Sequence, residues 1–494
     1  MHSSALNGNH SVKTMIGYVG VLWIILGTVI LMPLPAIVFF PEESECAKYF
    51  IFPGVSTILI GYILKKLMLS EINPPRLKKN DDAVIVVITW ISAILIGSIP
   101  FMLTGDYSFS QSVFETTSGF STTGLSVVDV ENAPKIFLIY RSVMLFFGGI
   151  GLVLVMTSVL SDVYSMRLYS AEGHSDRLTP NLLRSARTII TIYTGYIIAG
   201  IVLYIICGMN FFDAFNHSIA ALSTGGFSTR AASIGYYDSV SIELVTEILM
   251  LLGCTNFFVH LLLLKGHFKS VFRHCEVRLM LLLTALCTPI ALFIISGHGA
   301  ANMSRAARDA LFQVVSALTT TGFQTVPSFK NMPSPLSFML IILMLIGGGA
   351  GSTAGGIKQF RVWIMLKELW WDLVARFGDS RVVRVNQVER FGKKEIADLG
   401  YLQNVNIFIF AYIMIFLCGS FIFMLCGYSI SDSMFEFASA LGTVGLSVGI
   451  TCAGASPLVL WTAVAGMFFG RLEMYVILLS IIKVKDNVKT LCRR

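Results

Sequence analysis

Four short strips constrain this chain more than any other feature of its sequence. They are Thr122-Thr123-Gly124-Leu125-Ser126, Thr224-Gly225-Gly226-Phe227-Ser228, Thr320-Thr321-Gly322-Phe323-Gln324 and Thr443-Val444-Gly445-Leu446-Ser447. Each lies between two long apolar runs, and Gly124, Gly226, Gly322 and Gly445 recur at intervals of roughly a hundred residues. Four such strips around one axis form a ring of backbone carbonyls, which is how a protein replaces the water shell of a bare cation. Glycine suits each strip because a carbonyl turned toward the axis demands dihedrals that a Cβ resists. The expectation is one polypeptide that supplies all four walls of an ion pore.

The segments before the strips repeat as well. Phe114, Phe312 and Phe435 stand ten residues before their glycine, and Phe215 stands eleven before Gly226. Ser118, Ser316 and Ser439 stand six before, with Ala220 in that place in the second copy. Asp213, Asp309 and Asp432 open three of the segments. Stretches of about ten residues are too short to cross a hydrocarbon core of ~30 Å. They predict re-entrant half-helices, tolerated where the non-helical backbone that follows lines a wet cavity or is shielded by protein. Entering from the outer face, four helix C-termini converge below the strips, each with about half a negative charge, and favour a cation. Glu115 and Glu436 follow a half-helix phenylalanine and are expected to brace strip backbone rather than bind the ion.

Composition fixes the setting. Hydrophobic residues make up 55% of the chain and charged residues 13%, about half the charged share of soluble domains. The class is therefore polytopic membrane protein. Ten apolar runs are long enough to span, near 16–40, 49–69, 83–103, 136–161, 187–207, 240–264, 276–297, 336–375 (interrupted), 404–426 and 457–482. The first is too long for a signal-peptide core and reads as a retained anchor. With the N-terminus inside, 28 of the 36 Lys and Arg fall in cytoplasmic stretches. This bias places both termini in the cytosol, and the net charge of +7 reports topology rather than a nucleic-acid partner. No Cys-x-x-Cys or His-Glu-x-x-His occurs, so neither a disulfide framework nor a zinc site is supported. No nucleophile–base constellation points to an enzyme. The expected fold is an all-α polytopic membrane protein with four pseudo-symmetric helix–pore-loop–helix repeats around one pore. Two N-terminal helices (1–80) precede repeats at 81–186, 187–275, 276–403 and 404–494.

The eighth run is interrupted by Gly347-Gly348-Gly349-Ala350-Gly351-Ser352-Thr353-Ala354-Gly355-Gly356. Glycine costs about 1 kcal/mol relative to alanine in a helix, and a loop at membrane depth must face a cavity. This loop is expected to hang in the pore below the strips, small enough to collapse across the path or fold aside. Close helix packing through small residues is the plainer alternative. Its spacing imitates a phosphate loop, yet Ile357 precedes Lys358, Gln359 follows, and a membrane span rather than a strand leads into it. No organic cofactor is expected. Arg471 falls fourteen residues into the last run, where arginine costs about 2.5–3.5 kcal/mol and must face a partner or water. It pairs with Glu473, Glu436 or an unwound carbonyl, or its charge stands in the pore and ties the loop; the two readings are not exclusive.

The four strips, the glycine-rich run and Gly470-Arg471-Leu472-Glu473 together resemble the Trk/Ktr/HKT superfamily of potassium transporters. The two extra N-terminal helices make the chain most similar to the bacterial TrkH/TrkG branch. The resemblance implies K⁺ held by backbone at Thr122, Thr123, Gly124, Thr224, Gly225, Gly226, Thr320, Thr321, Gly322, Thr443, Val444 and Gly445. It implies that the loop in the third repeat, through Gly347, Gly348, Gly349, Gly351, Ser352, Thr353, Gly355 and Gly356, acts as a gate with Arg471. It implies a homodimer in the cytoplasmic (inner) membrane above a cytosolic nucleotide-binding regulatory ring, TrkA-like. Members that prefer Na⁺ carry serine for the first strip glycine, so four glycines favour K⁺. The strips have one glycine where tetrameric potassium channels have two, which implies looser discrimination.

The cytosolic segment 358–403 carries Trp363, Trp370 and Trp371, suited to lipid headgroups or to docking of the regulatory ring. A passive gated pore is favoured over a symporter, because alternating-access folds show inverted repeats and paired broken helices. Here the repeats run parallel and a single span is expected to be glycine-broken. The regularly spaced arginines of a voltage sensor are absent from the sequence.

Overall fold

The computed structural model describes residues 2–69, 81–151, 182–297, 302–377, 387–390, 393–472 and 474–492. Helices dominate, as the apolar runs require. Six are long and apolar enough to cross a membrane: Lys13–Val38, Pro41–Met68, Asp81–Thr104, Ala186–Ile206, Cys275–Gly297 and Leu399–Leu425. The first bends off its expected length, since the α-helix His2–Leu31 yields to a 3₁₀ turn at Leu34–Val38. Pro33 and Pro35 remove the amides an α-helix would need there. The tail of the fourth run, 152–161, lies outside the described residues.

The chain divides into two compact units, one of residues 1–121, 126–191 and 471–494, the other of 122–125 and 192–470. In the first, His2–Leu31 and Ala47–Met68 pair closely because Gly20 faces the Gly61 carbonyl and Gly27 the Gly54 carbonyl. Small residues let helix backbones approach in this way in lipid. Phe50, Phe101, Phe137 and Tyr140 form its aromatic centre, with ring centroids 5.0 Å apart for Phe50–Phe137 and 5.3 Å for Phe101–Phe137. The Tyr140 hydroxyl donates to the Gly97 carbonyl at 2.9 Å, satisfying a group that burial would otherwise penalise.

All four predicted half-helices form: Phe109–Phe120, Phe211–Leu222, Met303–Leu318 and Ile430–Leu441. Each begins at a polar N-cap, namely Ser108, Asn210, Asn302 and Ser429, whose side chain accepts from a first-turn amide. The third is longer, 16 residues against 12, because its cap lies further upstream. Phe114, Phe312 and Phe435 are buried. Phe215 is half-buried, and Asn216 takes the inward place ten residues before Gly226. The second copy was thus matched one residue out of register.

The inner helices depart most from expectation. Each stops after 13–16 residues, at Ile150, Gly253, Ile346 and Leu472. The expectation of a single broken span is therefore incorrect. Val240–Gly253 and Phe257–Leu264 meet at 112°, with no glycine run to announce the bend. A two-stranded antiparallel hairpin, Gln387–Arg390 with Lys393–Ile396, interrupts the segment 358–403; the all-α reading did not foresee it.

Candidate functional site

The four strips, including Thr122–Leu125, fall in one compact unit and close a ring. A Cβ added to Gly124 would overlap the Gly225 carbonyl; one on Gly226, the Thr321 carbonyl; one on Gly322, the Val444 carbonyl; one on Gly445, the Thr123 carbonyl. The contacts run from repeat one through four and back to one. The contacts are made by the four strip glycines and by Thr123, Gly225, Thr321 and Val444 before them.

The local geometry follows from how each half-helix ends. In repeats two to four, Gly225, Thr321 and Val444 donate to carbonyls five residues back, at 2.9, 3.0 and 2.8 Å. Thr224, Thr320 and Thr443 donate three residues back. This pair of bonds is a Schellman closure, whose turning residue takes a left-handed conformation and is usually glycine. Here it is threonine: Thr122, Thr224, Thr320 and Thr443 have φ of 55°, 53°, 54° and 51°. The strip glycines follow at 90°, 61°, 86° and 101°. A β-branched residue in that region is a real outlier, and strain of about 1–3 kcal/mol per residue persists only at sites the surroundings over-determine. Sequence reading found the glycine and missed the threonine strain.

Buried carbonyls are nearly always paired. Yet among the described hydrogen bonds none is accepted by the main-chain carbonyl of Gly225, Thr321 or Val444, although Thr321 and Val444 are wholly buried. The Thr443 hydroxyl is also buried without a hydrogen-bond partner. Buried oxygens without described donors, carried on a closed cycle of strips, are chemically suited to a desolvated cation.

The glycine-rich loop lies directly against this ring. The Gly355 amide donates to the Thr320 hydroxyl at 2.9 Å. Thr353 and Thr224 share a hydroxyl contact of 3.1 Å, and a Cβ on Gly355 would overlap the Thr443 hydroxyl. The loop therefore touches the first threonine of three strips. It is also latched to the bend of the second repeat. Gly349 donates to the Cys254 carbonyl at 2.9 Å, and Phe257 to the Gly351 carbonyl at 3.2 Å. Asn256 donates its side-chain amide to the Ala350 carbonyl, and the Ala350 amide donates to Glu276 at 2.8 Å. Thr353 donates to the Gly253 carbonyl at 2.8 Å. Sequence reading found the loop but neither Asn256, which sits in the second repeat, nor Glu276, 74 residues from its partner Ala350; neither carries a local motif.

Comparison with known proteins now bears on the ring. The TrkH family, described as a cation transport protein, matches residues 54–490. The chain belongs to the TrkH family. A Trk system potassium uptake protein TrkH of Escherichia coli is 31% identical over 422 residues, covering 82% of this chain and 85% of that protein. An uncharacterized cation transporter of Methanocaldococcus jannaschii is 31% identical over 460 residues, 92% of each chain. The crystal structure of the potassium transporter TrkH from Vibrio parahaemolyticus superposes with a TM-score of 0.83 at 26% identity, covering 94% of this chain and 98% of that one. The all-α polytopic membrane fold is that of TrkH.

Behind the TrkH ring, one position per repeat braces the limb that leaves the strip. Nine residues before each glycine stand Glu115, His217, Gln313 and Glu436. Glu115 accepts from the Ser126 hydroxyl at 3.0 Å and the Val127 amide at 3.0 Å, and pairs with buried Arg141 at 2.8 Å. His217 meets the Ser228 hydroxyl at 2.9 Å and Gln313 donates to Thr325 at 3.3 Å. Glu436 accepts from Ser447 and the Val448 amide, each at 2.8 Å, and from the Thr451 amide at 3.0 Å. The two glutamates are scaffold, as expected; the histidine and glutamine become visible once the segments are aligned on the glycine. In the second repeat Asp213 accepts from Thr229 at 2.6 Å, Tyr237 at 2.8 Å and Arg230 at 2.9 Å. Burial, then the Asp213 carboxylate, push the Tyr237 phenol above its ordinary range. Burial works against the Arg230 charge, but Asp213 outweighs it and holds the guanidinium above its ordinary value.

Arg471 takes the unwound-carbonyl option. It donates to the carbonyls of Gly148, and of Gly149 at 3.3 Å, where the helix Lys135–Ile150 ends. The Gly148 carbonyl also accepts the capping Gly151 amide at 3.2 Å, and carbonyls at a helix C-terminus, short of the usual i+4 donors, welcome a cation. The Glu473 pairing falls on a residue outside those described.

Proposed function

We propose that this chain takes up K⁺ through a gated pore whose narrowest wall is the four-strip ring. The observation that carries the reading is the closed cycle of strips around buried carbonyls that accept no described hydrogen bond. The potassium assignment is supported by relatives named for potassium uptake and by glycine at all four ring positions.

In this mechanism K⁺ sheds water as it enters the ring, and strip carbonyls and the Thr443 hydroxyl replace that water. Half-helix C-termini supply about half a negative charge each toward the cavity below. An inside-negative potential drives flux, worth about 2.3 kcal/mol per charge per 100 mV. The loop Gly347–Gly356 is the gate, held against the first threonines from the cytoplasmic side of the ring. Arg471, held on the carbonyls of Gly148 and Gly149, acts with this gate by opposing the passage of a cation. Homodimerisation, control by a cytosolic nucleotide-binding ring acting through the segment after the loop, and residence in the cytoplasmic membrane with both termini inside complete the proposal.

The test is current through liposomes holding the purified full-length chain. A pore gives a reversal potential at the K⁺ Nernst value whatever the pH or Na⁺ gradient. A reversal that moves with a second ion would replace the pore by a symporter.

A further inference from the structure

The ring is not equally stiff all round. In the third repeat, Ser316, six residues before Gly322, donates its hydroxyl to the Phe323 carbonyl at 2.7 Å. In the fourth, Ser439 at the same place accepts the Gly445 amide at 3.0 Å. Each serine ties the half-helix to the strip's glycine or to the residue after it. In the second repeat that position is Ala220, which has no hydroxyl, and the Gly226 amide reaches instead to the Ala220 carbonyl at a long 3.3 Å. The middle strip position tells the same story. Thr321 is pinned by a hydroxyl contact of 2.8 Å to Thr319, and the Val444 side chain is wholly buried. Their counterpart in repeat two is Gly225, with nothing beyond the backbone to anchor it. The Gly225 carbonyl is the one that faces Gly124 across the ring.

We infer that the second strip is the compliant wall of the ring, and that Ala220 and Gly225 limit its discrimination between K⁺ and Na⁺. A smaller ion is coordinated well only if some wall moves inward to meet it. The serine brace is made in the third and fourth repeats, while in the first the Ser118 hydroxyl is buried without a partner. The second strip alone lacks both that hydroxyl and a side chain at its middle position, and this soft side lets the ring follow Na⁺ part of the way, whereas a braced wall would not. This rests on the potassium-pore reading and extends it to positions behind the ring.

The experiment measures K⁺/Na⁺ permeability ratios from bi-ionic reversal potentials, using the full chain in liposomes. Ala220→Ser supplies the missing brace and raises the ratio by about threefold, the scale of one net hydrogen bond. Ser439→Ala and Ser316→Ala remove existing braces and lower it by a similar factor. The serine deletions cover the case in which Ala220→Ser fails to fold. If the serine variants elute as wild type, conduct K⁺ and keep the wild-type ratio, the inference is overturned. A wild-type chain that conducts no K⁺ would instead overturn the pore reading itself.

Discussion

Single residues carry two kinds of demand here, backbone shape at the ring and charge compensation behind it. Gly124 has φ of 90° and no room for a Cβ against the Gly225 carbonyl. Gly124→Ser must push that wall outward, so ion preference is expected to suffer before folding does. We predict a fall in K⁺/Na⁺ permeability ratio on the order of tenfold, equivalent to about 1.4 kcal/mol of lost discrimination, read from bi-ionic potentials. An unchanged ratio would move the selective wall elsewhere. Arg141 and Glu115 are 3% and 1% exposed and joined at 2.8 Å. Removing one partner of such a pair leaves a buried charge uncompensated and costs about 3–5 kcal/mol. Arg141→Ala should therefore lower the thermal midpoint in detergent sharply, with ion preference kept in whatever protein survives. Both glycine and glutamate could be picked from the sequence, because a fixed offset from a repeated glycine is a local signal. Arg141 could not, since its partner lies 26 residues away and nothing in the intervening chain marks the pairing.

At the scale of elements, the legible parts are those written in one stretch of chain. Apolar runs gave the spans, the strips and the repeated phenylalanine and serine spacings before them gave the half-helices, and the glycine-rich run gave the loop. The early ends of the inner helices were not legible, because Gly253 and Cys254 look like ordinary span residues. Their bend is set by tertiary contact: a Cβ on Gly253 would overlap the Leu222 carbonyl of the half-helix it packs against. The same bend presents Cys254, Asn256 and the amide of Phe257 to the loop, so one repeat's elbow holds another repeat's loop, the proposed gate. Glu276, in the first turn of Cys275–Gly297, completes that latch. A hydrogen bond to a charged group contributes about 1.5–3 kcal/mol, so Glu276→Ala should raise the basal open fraction by about tenfold or more. Single-channel open probability of the full chain checks this. A variant whose open probability matches wild type would show that the latch does not hold the gate shut.

For the whole molecule, the proposed orientation of the ring rests on the distribution of charge, and with it the direction in which the half-helix ends would point. Basic residues cluster after the second span, in 265–278 and in 358–394, while the loops that follow the strips carry few. In that orientation the positive-inside bias puts those basic stretches in the cytoplasm. The half-helices then enter from outside, and their negative C-terminal ends point inward, the polarity that draws a cation from the medium. An inverted molecule would keep the same ring but set the glycine-rich loop on the outer side of it, where a cytosolic partner could not act on it. Two accessible positions separate these cases. Cys452, exposed in the loop after the fourth strip, should react in intact cells with a membrane-impermeant maleimide, and Cys452→Ser should abolish that fast labelling. Lys265 is exposed just beyond the helix Phe257–Leu264. Lys265→Cys, on the Cys452→Ser background, should react only after permeabilisation. Rapid labelling of Lys265→Cys in intact cells would reverse the orientation and, with it, the direction in which the gate can be controlled.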